Sequence, residues 1–317
     1  MMKRSTLMLS TGIALFACSP AFGQNTNGTH STASIPDFSG LWAHPNFPGF
    51  EPPATGPGPV VNKSRFRDGP NKGTSDFREF VGDYANPILQ PHAAEVVKKH
   101  GEISLRGETY PTPSNQCWPE PLPYIFWNTG MQMLQQPHQI TILYDWQHEV
   151  RHVRMNEPHH AHLTPSWYGD SVGHYEGATL VIDTVGIKVG PFAMIDMYGT
   201  PYSPALHVIE RYRLLDYEAA REGLERNAKE NANIGRAGSA GDAPLRIDPD
   251  YRGKHLQLEF TVEDEGVFTM PWSATITYRP GFNWLGAAEW PEVVCEENIL
   301  FSAGKDEAVP HANSPDF

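Results

Sequence analysis

The run Val172-Gly-His-Tyr-Glu-Gly-Ala-Thr-Leu-Val-Ile-Asp-Thr-Val185 indicates the fold class of this chain, because apolar and polar residues alternate around a short turn. Alternation with a period of two residues is typical of half-buried β-strands. The segments Val172–Glu176 and Leu180–Val185 are therefore predicted to pair as a hairpin around Gly177-Ala178.

The same alternation recurs on both sides of this hairpin. Few helices are predicted, over Pro91–Lys99 and Tyr217–Asn231. Six or seven antiparallel strands in sequence favour a mainly β protein with a lipocalin-like barrel, open or closed, wrapped by irregular Pro- and Gly-rich arms. A β-sandwich is the alternative architecture. The further predicted strands are Ile140–Trp146, Val150–Met155, Leu206–Leu215, Leu256–Val262 and Trp272–Tyr278.

The domain organisation begins with a predicted signal peptide over residues 1–23, which has a basic start, an apolar run and small residues before a cleavage site. A lipoprotein signal that leaves Cys18 lipidated is the alternative. Residues 24–75 are rich in Pro, Gly, Asn, Ser and Thr and are predicted to form an irregular N-terminal arm. Residues 76–317 are predicted to form a single β-rich domain with a helical insertion near 217–231.

The charge and the cysteines limit the partners and the compartment. Lys and Arg number 24 against 37 Asp and Glu, a formal net charge of −13 at pH 7. Such a surface repels phosphate backbones and anionic lipid, so a small aromatic or amphiphilic molecule is the expected partner. Export predicts the periplasm, where Cys117 and Cys295 are expected to form a structural disulfide, with two separate thiols as the alternative.

Histidines are the strongest sign of chemistry, since seven of the fourteen fall between His138 and His174. Imidazole is the side chain best suited to exchange protons near neutral pH. His174 and His159 are the candidate proton-transfer residues, with Tyr175 as a third. In the strand Leu206–Leu215, Glu210 shares one face with apolar and aromatic residues. It is therefore predicted to be buried, either in a catalytic role, as a general base or the residue that orients a histidine, or as the structural partner of an arginine such as Arg151 or Arg154.

Aromatic residues near this stretch suit a flat apolar substrate. No metal or cofactor is expected, because HExxH, paired cysteine clusters and Gly-rich phosphate loops are absent from the sequence. If a metal were bound, His160, His162 and Asp170 would hold it. Ser171 lies in a GxSxG pattern, but a strand rather than a helix is predicted to follow it, which disfavours a serine hydrolase. The candidate substrate-binding residues are Trp167, Tyr168, Tyr144, Tyr212 and Arg151.

The run Gly169–Thr184, the strand Leu206-His-Val-Ile-Glu-Arg-Tyr-Arg213 and the late Cys295-Glu-Glu-Asn298 resemble a large family of secreted bacterial proteins of mostly unknown function. That family carries a GxSxGxWEGDTLVVDT block followed by an ERF strand. Tyr175 and Ala178 replace the usual Trp and Asp. The resemblance implies a relation to phenylcoumaran gamma-formaldehyde lyase-type enzymes of aromatic-degrading bacteria, which cleave lignin-derived side chains.

Three functions are compatible with these patterns. The first is a cofactor-independent acid/base lyase in which His174 or His159, helped by Glu210 and a tyrosine, cleaves a side chain of a small aromatic substrate, for example with release of formaldehyde. The second is a non-catalytic lipocalin-like binder of hydrophobic molecules. The third is a metal-dependent hydrolase. The first requires the histidines and Glu210 to meet in one cavity.

Overall fold

Nine β-strands form a closed barrel in this computed structural model, which describes residues 35–44, 49–69, 72–127, 130–145, 149–231 and 251–281. Each strand pairs with the next along the chain, and β1 pairs with β9 to close the barrel. The closing contact consists of two residue pairs, Trp42 with Pro280 and Ala43 with Arg279. The predicted mainly β barrel is confirmed. The strands are β1 (Gly40–Ala43), β2 (Gly130–Gln135), β3 (Gln139–Tyr144), β4 (Val150–Met155), β5 (Asp170–Glu176), β6 (Thr179–Val185), β7 (His207–Leu215), β8 (His255–Glu263) and β9 (Trp272–Pro280).

The strand pairing is antiparallel at eight of the nine pairs and parallel between β4 and β5, where Val153 lies opposite Ser171. The expectation of antiparallel strands throughout is therefore wrong at this pair. A parallel pair needs a connection that returns from one end of the barrel to the other. Residues 156–169 form that connection, so three of the clustered histidines and Trp167 lie on it.

Two α-helices occur among the described residues, α1 (Pro91–Leu105) and α2 (Tyr217–Asn231). The predicted bounds of α2 are confirmed, whereas α1 extends six residues past its predicted end at Lys99. Pro91 occupies the first turn of α1, where its missing N–H costs no hydrogen bond. Neither helix is long and apolar enough to cross a membrane.

The N-terminal arm contributes a strand, although it was predicted to be irregular. β1 is only four residues long and gives too short an alternation to stand out among prolines and glycines. It pairs with both β2 and β9. Residues 1–23, Cys18 and Cys295 lie outside the described residues, so the signal peptide, the lipid anchor and the disulfide stay predictions.

Alternate residues of each strand fill the barrel, as the period-two pattern predicts. In β7 the buried residues are Val208, Glu210 and Tyr212, and their neighbours face outward. We call the end of the barrel where β3 ends and β4 begins the upper end, and the opposite one the lower end. The upper end is filled by aromatic rings, among them Phe50, which contacts the rings of Trp127 and Phe260.

Candidate functional site

The barrel interior holds a buried ion pair between Arg151 of β4 and Glu210 of β7. The two side chains are 1% and 0% exposed. Arg151 Nη2 donates to Glu210 Oε1 at 2.6 Å and Nη1 donates to Oε2 at 2.9 Å, a bidentate arrangement. The predicted burial of Glu210 is thus observed. Of the two roles that the sequence left open, the structure shows the partner of an arginine.

Two further donors of Arg151 are also satisfied. Its Nε donates to Ser171 Oγ at 3.1 Å and its Nη2 to Thr184 Oγ1 at 2.7 Å. Tyr212 Oη donates to Glu210 Oε2 at 2.8 Å. Burial lowers the pKa of Arg151, but the adjacent Glu210 more than compensates and holds that pKa above the ordinary arginine value. Ser171 therefore serves as a hydrogen-bond partner within β5 rather than at a strand-to-helix elbow.

Two tyrosines extend this buried network toward the upper end of the barrel. The rings of Tyr144 and Tyr168 stack with centroids 6.3 Å apart and an interplanar angle of 23°. Burial raises the pKa of Tyr144 to about 12, with opposing effects from the nearby charges of Arg151 and Glu210. Four of the five predicted substrate-binding residues therefore lie near one another: Arg151, Tyr144, Tyr168 and Tyr212. The hydroxyls of Tyr144 and Tyr168 are not hydrogen-bonded to other described residues.

Glu149 joins the network at the same end and was missed by the sequence analysis. Burial raises the pKa of its carboxyl to about 7, although the nearby Tyr168 hydroxyl and the Glu120 backbone N–H lower it. Neither Glu149 Oε2 nor the Tyr168 hydroxyl is hydrogen-bonded to another described residue. The Glu120 N–H donates to Glu149 Oε1 at 3.1 Å. Burial and Glu149 together raise the pKa of the Tyr168 hydroxyl far above its ordinary value. A carboxyl that exchanges its proton near neutral pH beside a phenol is suited to acid/base chemistry.

The predicted catalytic His159 lies on the outer face of the barrel. Its Nδ1 is 3.0 Å from Asp170 Oδ2 and its Nε2 is 2.8 Å from Asp183 Oδ1. Asp183 also accepts from His207 Nε2 at 3.0 Å, and His207 Nδ1 lies 3.1 Å from Glu263 Oε2. We call these five residues the outer ladder. Both ring nitrogens of His159 therefore face carboxylates of this ladder.

His174 is also outside, on the outward-facing side of β5. Its side chain is 51% exposed, and Nε2 lies 3.2 Å from Glu176 Oε1. Glu210 is fully buried inside the barrel. The expected meeting of His159, His174 and Glu210 in one cavity is therefore not observed. The sequence pattern could not show this, since the outward position of His174 follows only from the strand's register and the location of His159 from the parallel crossover.

The three residues named as ligands in case a metal is bound do not form a three-ligand site. His160 Nδ1 lies 2.9 Å from Asp170 Oδ1, whereas His162 is exposed on the crossover connection. Among the residues that the structure describes, no group of three or more His, Cys, Asp or Glu side chains is placed to hold a metal ion.

Tyr175, the remaining predicted catalytic residue, lies at the lower end, away from Glu149. Its hydroxyl accepts from Gln135 Nε2 at 2.9 Å. Burial raises the pKa of this tyrosine. The ring borders an open cavity of about 470 Å³, whose lining includes Ile35, Pro36, Pro137 and Asn156. The structure therefore places the predicted catalytic residues at separate locations.

Comparison of the chain with protein-family models, with curated proteins and with solved structures found no match.

The ion pair predicts a large loss of stability when only one partner is removed. In Arg151→Met, Glu210 keeps a buried charge without its counter-ion, so we expect the free energy of unfolding to fall by about 3–5 kcal/mol. Urea denaturation measures this loss. The double variant Arg151→Met/Glu210→Leu removes both charges and is expected to recover most of it. A loss below about 1 kcal/mol in the single variant, well under that range, would contradict the burial of the pair.

The outer ladder predicts a pH-dependent contribution to stability. Hydrogen bonding to Asp183 raises the pKa of His207 above 6.5, although burial opposes this. A raised folded-state pKa means that the contribution is complete below pH 6.5 and is lost as the pH rises through the folded-state pKa.

We therefore expect His207→Gln to lower the free energy of unfolding by at most about 1 kcal/mol at pH 6, since the side chain is partly exposed, and by less at pH 9. Urea denaturation of this variant and of the unaltered chain at both pH values gives the difference and cancels the titration of other groups. A greater loss at pH 9 than at pH 6 would show that the sign is wrong.

Proposed function

We propose that the chain is a cofactor-independent acid/base enzyme, a lyase that cleaves a side chain of a small aromatic substrate, with Glu149 and Tyr168 as its proton-transfer pair. The supporting observation is the carboxyl of Glu149, whose pKa burial raises to about 7 beside the Tyr168 phenol. A general base works best when its pKa lies near the operating pH. The half-buried ring of Tyr168, which stacks on the buried Tyr144, supplies an aromatic surface at the same position.

The proposed step moves one proton across the substrate without a redox change. The Glu149 carboxylate removes the proton of a side-chain hydroxyl, the adjacent carbon–carbon bond breaks, and formaldehyde leaves. The released electron pair forms a carbon–carbon double bond and expels an ether oxygen, which takes a proton from the Tyr168 hydroxyl. The protonated Glu149 then returns its proton to Tyr168, so the pair is restored and the atoms balance.

The ion pair has a positioning role in this proposal. Arg151 and Glu210 fix Tyr212 by a hydrogen bond and lie near Tyr144, whose ring stacks on Tyr168. The hydrogen bonds of Arg151 to Ser171, Thr184 and Glu210 and that of Tyr212 to Glu210 make this part of the interior rigid. It therefore holds the aromatic rings in place without itself exchanging protons with the substrate.

The compartment and the substrate class rest on the sequence. The predicted signal peptide favours the periplasm, and the acidic balance of 24 basic against 37 acidic residues favours a small-molecule partner over nucleic acid. The motifs around Gly169–Thr184 and Cys295 resemble secreted proteins related to lignin-side-chain lyases, which supports lignin-derived aromatic dimers as substrates.

A lipocalin-like binder of small hydrophobic molecules is the second candidate. The cavity of about 470 Å³ at the lower end favours it, because barrel mouths are common ligand sites. Titratable groups gathered at the upper end favour the enzyme, since a passive carrier has no need of a carboxyl with a pKa near neutrality. The absence of turnover together with a ligand retained through purification would favour the binder.

Replacing the proton-transfer pair tests the enzyme proposal. Glu149→Gln and Tyr168→Phe each remove one proton-transfer group with little change of shape. We expect each to lower the turnover of phenylcoumaran-type dimers by about 10²- to 10⁴-fold at pH 7, measured as released formaldehyde.

The matched control is His174→Gln on the outer face, which is expected to leave turnover unchanged. Circular dichroism establishes that each variant is folded. Full turnover in folded Glu149→Gln and Tyr168→Phe would remove this pair from the chemistry. A selective loss in His174→Gln would instead return the assignment to the histidine.

A further inference from the structure

Three aromatic side chains and one lysine form a half-exposed patch on the outside of the barrel. The indole rings of Trp118 and Trp167 meet edge to face with centroids 5.6 Å apart, and Phe192 meets Trp118 in the same way at 6.0 Å. The Nζ of Lys188 lies 4.8 Å from the centre of the Trp167 ring. We call these four residues the aromatic platform.

The platform is held in a fixed position by its surroundings. A Cβ added at Gly190 would lie 2.7 Å from the Trp167 ring, so the backbone approaches this indole as closely as only glycine allows. The Lys188 N–H donates to Ser166 O at 2.8 Å, and the Tyr202 hydroxyl donates to Lys188 O at 2.7 Å. An aromatic surface that is ordered before binding loses little entropy when a ligand stacks on it.

The platform is joined to the proposed proton-transfer pair through the chain. Trp167 directly precedes Tyr168, and Trp118 lies two residues before Glu120, whose N–H donates to Glu149. Both indoles are therefore fixed to segments that also build the upper end of the barrel. Trp118 is 36% exposed and Lys188 is exposed, so the platform is accessible to solvent.

The charge on the platform indicates which aromatic molecules it would select. No carboxylate of the described residues lies within 4.0 Å of the Lys188 ammonium group, which faces the ring of Trp167 instead. This positive charge stands in a chain with a formal net charge of −13. A ring stacked on the indoles can direct an anionic substituent to the ammonium group, whereas a neutral ring gains only the stacking.

We propose that the aromatic platform is a binding subsite for aromatic carboxylates, with Lys188 as the residue that selects the anion. The proposal deepens the proposed function, on which it rests, by naming an anionic group on the substrate. It accounts for a lysine and two tryptophans that the proton-transfer step does not use.

Two probes of nearly equal shape test the subsite, naphthalene-2-carboxylate and the neutral naphthalene-2-carboxamide. Their dissociation constants are measured by quenching of tryptophan fluorescence and by calorimetry, on the full chain at pH 7. We expect the carboxylate to bind about three- to fivefold more tightly than the amide, the gain of a solvent-accessible charge pair. In Lys188→Met the ratio of the two dissociation constants, amide over carboxylate, is expected to fall to about one.

The matched control is Lys63→Met, which removes another exposed lysine, one that pairs with Asp83 at 3.6 Å. It is expected to retain the full ratio. Equal affinities of the two probes in the unaltered chain, no binding of either probe, or an unchanged ratio in Lys188→Met would each overturn the subsite.

Measuring the same ratio in Glu149→Gln separates this proposal from the proposed function. If the ratio persists while turnover is lost, both proposals hold. If turnover is unaffected by Glu149→Gln and the ratio still depends on Lys188, the proton-transfer assignment fails and the subsite stands. If turnover depends on Glu149 but the ratio does not depend on Lys188, only the subsite fails.

Discussion

Burying the charges of Arg151 and Glu210 inside the barrel is the constraint on which the rest of the structure depends. Neither charge is stable there alone, because removal from water costs several kcal/mol per ion. The pairing draws one residue from each of four successive strands: Arg151 from β4, Ser171 from β5, Thr184 from β6 and Glu210 from β7. A shift of one residue in any of them would turn a polar partner outward. The polar network therefore reinforces the register of the barrel wall.

This arrangement divides the titratable groups into two sets with different consequences. The outer ladder places His159 and His207 among carboxylates, partly in contact with water, where it contributes to stability in a pH-dependent way. Inside the upper end, Glu149 and the tyrosines lose water, and burial moves their pKa values upward. The inner set therefore contains one carboxyl, that of Glu149, whose pKa lies near neutrality, and no histidine.

Much of the barrel could be predicted from the sequence, because period-two alternation is local. The hairpin of β5 and β6 and the burial of Glu210 follow from this alternation, and the bounds of α2 follow from a separate helical segment. The parallel pairing of β4 with β5 could not be predicted, since no local sequence pattern indicates at which end of the barrel the next strand begins. The density of histidines did not indicate where those rings lie, because strand register and the crossover put His159 and His174 on the outside of the barrel.

Glu149 could not be predicted as a site residue, because its pKa depends on residues that are distant in the chain. Glu149 is the residue directly before β4. Its raised pKa depends on burial beside Tyr168 and Glu120, which lie 19 and 29 residues away in the chain. Carbon-13 NMR of the side-chain carboxyl, assigned by its loss in Glu149→Gln, measures this pKa. A titration midpoint near pH 7 is expected for a carboxyl buried beside Tyr168. A midpoint near the ordinary value of 4.5 would contradict it.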